Sequence, residues 1–559
     1  MSYIEGKDRN RYCISCLDDK ISQDSIVRLI DAFVDSLDLT KLNFTKTDKD
    51  AQGRPSYRPN HLLKLYIWGY KNNIHSSRKL AESCITNIEV QWLMEELRPD
   101  FRTISDFRKD NVENIKKVFY EFNNKIFEVI ELSYQSIDGT KVKANNSKDN
   151  NFTQNKLDDR IKWLKENINK YLMTMDKVDA TESIDNFDFT KDELELKIKE
   201  AQERLEKYEK YRKYMQENNL TQMSLNDTDA KLMKTKNGFE VSYNVQTLVD
   251  SNTHIITDFS TTNKVTDYGL IESTTKKLKE ERFNDKAMEI VADKGYNTKQ
   301  DIIKCLENGI IPNVIDNNNK NKYDIEIDYE ENECDKNSSN KEEIKKCLHK
   351  GIVPEIYKNI ITDCKVITKT EKTYTDTESN IKFNNTEEII NKAKEGYFVR
   401  DVENNIVYCP NGETLRQSSI TLKGNIKYRN KYICSKCPLK DKCLTKNEQW
   451  KDIEFNKDTI VKPAKWLNIK TTKTIKQIGH QKINKVKFTF LTDKNKMSKR
   501  FSISEHPFGT IKRTLNGYYF LLKSIKKVSC EFALLSLAYN IKRAINLLGY
   551  DNLMNIIKI

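Results

Sequence analysis

No run of about 18 apolar residues occurs anywhere in the 559-residue chain, so no membrane-spanning helix is expected. The opening MSYIEGKDRNR is charged from the start and lacks the apolar centre of an export signal, which makes a cytoplasmic protein the expectation. Twelve cysteines in such a setting stay reduced, which excludes a disulfide framework and leaves metal binding for clustered ones and buried packing for the rest. No internal repeat stands out, so repeat architectures are excluded as well.

What is present is a polar but core-forming composition, with 32% charged and 37% apolar residues, enough for packed cores over two to four domains of roughly 100 to 200 residues each. The net charge of +13 is concentrated. From Thr459 to Arg513 there are 14 Lys or Arg against only Asp493 and Glu505, so this track is expected to face a polyanion rather than bulk solvent.

Residues 20–130 read as helices, with Ile26, Leu29, Ile30, Phe33, Val34 and Leu37 at helical spacing and Leu62, Leu63, Tyr66, Ile67 and Tyr70 likewise. Within them SSRKLAESCITNIEVQWLM and RPDFRTISDFRKD have a helix-turn-helix rhythm, with Arg78, Lys79, Arg102, Arg108 and Lys109 available to phosphates; a helical bundle with a basic surface is the plainer alternative. From Glu131 the period changes to two in YQSIDGTKVKA, GFEVSYNVQTLVD and THIITDFSTTN, and a helix, DYGLIESTTKKLKEER, then leads to the short buried strand MEIVAD. The predicted order is β, β, β, α, β.

Two segments interrupt it. Residues 155–216, with Leu157, Ile161, Leu164, Ile168, Tyr171 and then Leu194, Leu196, Ile198, Ala201, Leu205 and Tyr208 amid dense charge, predict an antiparallel helical hairpin. The second runs from about Asp316 to Asp458, and its opening DNNNKNKYDIEIDYEENECDKNSSN reads as loop.

Three acids occupy places suited to hard-cation binding: Asp138 inside SIDGTKVK, Asp293 at the end of MEIVAD, and Glu505 in SEHPFGTIKR. Each has a plainer reading. Asp138-Gly139 is also a hairpin-turn signal, Asp293 also a turn or cap, and Glu505, with Ser504 as N-cap and Pro507 in the first turn, also a partner of the helix dipole. Glu505, Phe508, Gly509 and Lys512 recur at helical spacing, which predicts an acid and a cation on one face.

Together SIDGTKVKANNSK, EVSYNVQ, IVADKGYN and KRFSISEHPFGTIKR, followed by EFALLSLAYNIKRAINLLG, resemble the DDE transposases of bacterial insertion sequences. The likeness spans nearly the whole chain and is to the branch with a helical N-terminal domain, here RPSYRPNHLLKLYIWGY to ISDFRKDN, and a cysteine-bearing insertion before the last acid. It implies an α/β fold: a ribonuclease-H-like catalytic core with an all-α N-terminal domain, a helical-hairpin insertion and a Cys-rich insertion. The corresponding boundaries are 1–130, 131–154, 155–220, 221–315, 316–485 and 486–559. The resemblance also implies that Asp138, Asp293 and Glu505 are catalytic and hold two Mg²⁺ (or Mn²⁺) ions, which selects the strand reading of Asp138 over the turn.

The same likeness implies a basic pair around the Glu, Lys512 and Arg500, although Arg500 stands five residues before Glu505 where the broad signature has four, and position 501 is Phe. Lys499 and Arg513 of the basic track and Arg78 and Arg108 of the helical domain complete the expected DNA contacts. The implied partners are double-stranded DNA (element terminal repeats and target) and at least a second copy in the DNA complex, with the bacterial nucleoid as location. A nuclease without strand transfer, and a transposase-derived DNA-binding protein without catalysis, stay open as alternatives.

Cys409 in YCPNGE and Cys434, Cys437 and Cys443 in YICSKCPLKDKC make a four-thiol set suited to structural Zn²⁺, since four thiolates leave no open catalytic position. Cys13 and Cys16 form a lone CxxC, and Cys84, Cys305, Cys334, Cys347, Cys364 and Cys530 read as isolated.

Overall fold

The computed structural model describes residues 14–47, 56–180, 191–218, 220–315, 320–376, 385–421, 424–444, 448–456, 459–464 and 475–558, with Phe383 and Trp466. The chain divides into two compact units, Met1–Gln202 with Gln222–Val366 and Val486–Ile559, and Glu203–Thr221 with Ile367–Lys485.

The first unit opens on α1 (Ile26–Asp35), α2 (Pro59–Lys71), α3 (Ser77–Thr86), α4 (Ile88–Leu93), α5 (Phe101–Asp110) and α6 (Val112–Phe127). Side-chain caps start two of them: Asn87 accepts from the Val90 amide, and Asp100 from the amides of Arg102 and Thr103. Predicted apolar stripes are buried as expected, Leu29, Ile30, Phe33 and Val34 on α1 and Leu62, Leu63, Tyr66, Ile67 and Tyr70 on α2.

A six-stranded sheet follows. Its strands come from β1 (Gln135–Lys143), β4 (Lys231–Thr235), β5 (Gly238–Asp250), β6 (Ile256–Thr262), β7 (Met288–Val291) and β8 (Ile310–Asn313), with α9 (Ile271–Arg282) before β7 and α10 (Lys299–Glu307) before β8. The order is β4-β5-β1-β7-β8, with β6 also on β5. β5 is antiparallel to β1, whereas β7 is parallel to β1 and β8 to β7. The predicted β, β, β, α, β sequence is therefore present. Between β1 and β4 lie β2 (Asn151–Thr153) and β3 (Gln222–Ser224), an antiparallel pair enclosing the long helices α7 (Gln154–Ala180) and α8 (Lys191–Glu217). The hairpin is helical as read, but Leu196 is exposed and lies off the buried stripe of Leu194, Ile198 and Ala201.

Past β8 the expectation of loop fails. Lys322–Asp328 is a strand, β9, on which Tyr323, Ile325 and Ile327 alternate inward; the Asn- and Asp-rich flanks hid a period of two. These residues share a core with Ile302 and Leu306 of α10, with Ile344 and Leu348 of α11 (Lys341–Lys350), and with Ile361 of β10 (Ile361–Asp376). The opening of the second interruption thus packs within the first unit. His349 of α11 ties this layer together, its Nε2 2.7 Å from Glu307 Oε1 and its Nδ1 2.8 Å from the Asp328 carbonyl. The Glu307 hydrogen bond raises the imidazole above its ordinary 6.5 against the opposing effect of burial. A raised folded value means that its stabilisation is complete below 6.5 and lost as pH rises through that value. Thermal unfolding is therefore expected at a lower midpoint at pH 8 than at about pH 6, and His349→Gln should flatten that step.

The second unit holds α12 (Thr386–Lys394) and a meander of β11 (Tyr397–Asp401), β12 (Ile406–Tyr408), β13 (Thr414–Ile420), β14 (Ile426–Arg429), β15 (Ile453–Phe455) and β16 (Val461–Pro463), with α13 (Lys431–Ser435) and α14 (Lys440–Cys443) between β14 and β15. The chain leaves it along β17 (Ile475–Leu491) and ends in α15 (Lys494–Gly509), α16 (Ile525–Leu548) and α17 (Tyr550–Lys558), all but the first part of β17 in the first unit. α16 is buried along most of its length and packs on α6 and α2, so the first helices and the last share one hydrophobic core with β5 and β6. Asn540 on α16 closes the start of β6, accepting from the Ile256 amide and donating to its carbonyl.

Cys13 lies outside the described residues and Cys16 is exposed. Cys84, Cys305 and Cys530 are buried singly, but Cys334 and Cys347, read as isolated, are in hydrogen-bond contact because the loop before α11 folds back over it. Among the described residues no helix is long and apolar enough to cross a membrane.

Candidate active site

Asp138 lies in the middle of the nine-residue β1, opposite Thr247 of β5, and not in a turn. On its other side β1 pairs in parallel with β7, Gln135 with Ile290 and Ser136 with Val291. Asp293 lies two residues past the end of that ladder, close enough for its charge to act on Asp138. Asp293 itself follows β7 and caps the turn Lys294–Tyr296, accepting from the Lys294 amide at 2.7 Å. Its negative charge helps raise Asp138 above the usual carboxylate range. Burial is the larger cause, and Arg500, the Gly139 amide and the Ser504 hydroxyl pull the other way.

Gly139 answers a packing need. A Cβ there would collide with Gln246 Nε2 and Asp267 Oδ1, which come up beneath β1. Gln246 donates to Asn244 Oδ1 and Asp267 Oδ1, both at 2.9 Å, and accepts from the buried Tyr296 hydroxyl. Asp267 also receives Asn244 Nδ2 at 2.7 Å and Lys141 Nζ at 2.8 Å. Tyr296 feels the charges of Asp267, Asp138, Arg500 and Asp293. This network braces both acidic strands from below. Sequence reading missed Asp267, Gln246, Tyr296, Thr140 and Ser504 as site residues; EVSYNVQ, DYG and DKGY carried three of them in plain view. Gly139→Ala is expected to destabilise the fold by about 1–3 kcal/mol and to lower catalysis by displacing Asp138, read from paired denaturation and activity curves.

The sheet is flanked by α15, which packs on β1 and β5 and touches β7 and β8. Its start is a correction. Ser504 is not an N-cap: the helix begins at Lys494, with the Asp493 side chain accepting from Asn495 and Lys496, because nothing in KNKMSKRFSIS interrupts a helix. Ser504 is fully buried in the third turn, near Asp138, and Arg500 one turn earlier brings Nη1 to 3.6 Å from Asp138 Oδ1. Beyond Gly509 the backbone widens into a π turn, Thr510–Thr514. A single face at 3.6 residues per turn therefore does not hold, and Lys512 is half-buried, donating to Thr140 Oγ1, while Glu505 is exposed. Burial lowers the Lys512 ammonium from its ordinary value, with Lys236 adding to the shift and Asp138 opposing it.

The structure thus brings together Asp138, Asp293, Arg500, Ser504 and Lys512, with Glu505 one residue beyond Ser504 on the helix. Among the described residues no group of three or more His, Cys, Asp or Glu is gathered as a metal site. Of the other expected DNA contacts, Lys499, Arg513 and Arg78 are exposed, Arg78 stacking 5.0 Å over Phe101. Arg108 is a correction: it is buried, 5.2 Å over the Tyr66 ring, donating to Tyr70 Oη and the His75 carbonyl.

Sheet and helix define an α/β protein in which Asp138 of the central strand feels the charges of Asp293, just past its parallel neighbour, and of Arg500 and Lys512. Residues 15–110 match the family described as a transposase domain (DUF772), and residues 408–545 match the transposase DDE domain. No curated protein and no solved structure gives a match. The two matches support a DDE-type transposase of an insertion sequence and indicate DNA transposase function.

Proposed function

We propose that this transposase cleaves the ends of its element and joins them to target DNA, from a ribonuclease-H-like core in which Asp138, Asp293 and Glu505 hold two Mg²⁺ or Mn²⁺ ions. The observation that carries the reading is that Asp293, just past β7, acts on Asp138 of the parallel neighbour β1, with Arg500 beside it. The strand order, with β5 alone antiparallel beside β1 and the helix α15 laid against it, supports the ribonuclease-H-like assignment. Two carboxylates one strand apart suit a hard cation, and Glu505 completes the set from α15 by a movement of that helix or of its side chain.

The bound ions would activate the attacking oxygen and stabilise the leaving one. The chain's own groups do the rest. Arg500 and Ser504 hold the Asp138 carboxylate in place, the Gln246–Asp267–Tyr296 network fixes the height of both strands, and Lys512 sets a cation beside Thr140 where a scissile phosphate would dock. Exposed Lys499 and Arg513 extend the positive surface along DNA. Pairing two element ends calls for at least two copies.

The deciding experiment is cleavage of a labelled insertion-end duplex with Mg²⁺ or Mn²⁺, comparing wild type with Glu505→Gln at matched DNA occupancy. Metal-dependent nicking and strand-transfer products, both lost in Glu505→Gln, are expected. Equal activity in the two would remove Glu505 from the triad, nicking without joined products would leave a nuclease, and binding without cleavage in either would leave a non-catalytic DNA-binding protein.

A further inference from the structure

The second unit has a thin core. On one face of its meander lie Phe398, Val407, Leu415, Tyr428 and Phe455 together with Cys409; on the other, Val399 and Tyr408 meet Ile389 and Ala393 of α12. The cysteine-bearing face is covered by α13 and α14, helices of five and four residues that bury no residue of their own. Helices so short do not persist without an outside tie.

Cys409, Cys434, Cys437 and Cys443 all line one cavity of about 20 Å³, room for a single water-sized particle, walled otherwise mainly by Phe398, Leu415, Ile433, Leu439 and Trp466. Cys409 sits in a tight knuckle: the Gly412 amide donates to its carbonyl at 2.7 Å, its own amide donates to Glu413 O at 2.8 Å, and Gly412 takes the left-handed φ of 78° that the turn needs. The amides of Asn411 and Glu413 are aimed at the Cys409 sulfur.

We infer that Cys409, Cys434, Cys437 and Cys443 form a structural Zn²⁺ site that ties α13 and α14 to the meander. Zinc takes four thiolates tetrahedrally, the saturated shell leaves no position for catalysis, and buried Lys451 offsets the excess negative charge of the four sulfurs. The sulfurs are not gathered at coordination distance in the structure, so loading draws the CxxC of α13 and the end of α14 in toward the Cys409 knuckle. The site is separate in residues and chemistry from the carboxylates of the first unit.

The test uses the purified full-length chain. Elemental analysis should find one zinc per chain, cobalt substitution should give thiolate charge-transfer and tetrahedral d–d absorption, and zinc should slow hydrogen exchange over residues 431–444. Cys409→Ser with Cys437→Ser should lose the zinc and the cobalt spectrum, whereas Asp293→Asn should keep both. A folded wild-type chain without zinc and without a cobalt–thiolate band overturns the inference, as does zinc retained by the double variant or iron–sulfur absorption in its place. The wild-type spectrum decides even where the double variant fails to fold.

Discussion

Asp138→Asn is expected to lower metal-dependent cleavage of an insertion-end duplex by about a thousandfold or more, roughly 4 kcal/mol in the barrier, while leaving the folded state as stable as before or slightly more so. The two halves follow from one observation. Burial pushes this carboxyl up, and the compensation from Arg500 at 3.6 Å, the Gly139 amide and Ser504 is incomplete. An ion held by the strand pair would use that under-satisfied charge, whereas a neutral amide relieves the cost of burying it. Cleavage assays with thermal melts on the same preparations check both halves, and a destabilised variant with full activity would be incompatible with the proposed site.

Arg108→Met is expected to cost about 3–5 kcal/mol of stability, measured by denaturant unfolding, with DNA affinity of the folded fraction unchanged. Arg108 on α5 lies against Tyr66 and Tyr70, and its charge also acts on Glu531 of α16, a fully buried acid whose carboxyl accepts from the amides of Leu521 and Leu522. Removing the cation leaves that acid buried beside two tyrosines without its counter-charge. If instead stability held and the salt dependence of DNA binding fell by about 0.9 in slope, Arg108 would be a phosphate contact after all.

Arg108 also shows why part of the site was not legible in the sequence. Beside Phe107 and one turn from Ile104 it stands on an inward face, but its charge invites a surface reading, and Glu531 lies hundreds of residues away. The order of strands and helix could be followed by period alone, but Asp138 and Asp293 each had a turn reading as well, and only the resemblance chose between them. That Asp293 acts on Asp138 depends on the β1–β7 pairing, which no local pattern states. Glu505 was placed at a helix start because Ser504 and Pro507 are good first-turn residues; the stronger cap was Asp493, eleven residues earlier. The same blindness to context turned β9 into loop, where biased Asn and Asp outweighed three alternating apolar residues.

The shared core of the first and last helices bears on the protein while it is still being made. Helices α1 to α6 precede the sheet in the chain, yet α1, α2 and α6 complete their packing on α16 and α17, which follow it. The same stretch brings Arg500 and Lys512 to Asp138. A product truncated before α15 would lack Arg500 and Lys512, the helices that α1, α2 and α6 pack on and, on the proposed site, Glu505. On the proposed site, the fold of the opening helices and the cutting centre would be completed by the same late segment of the chain.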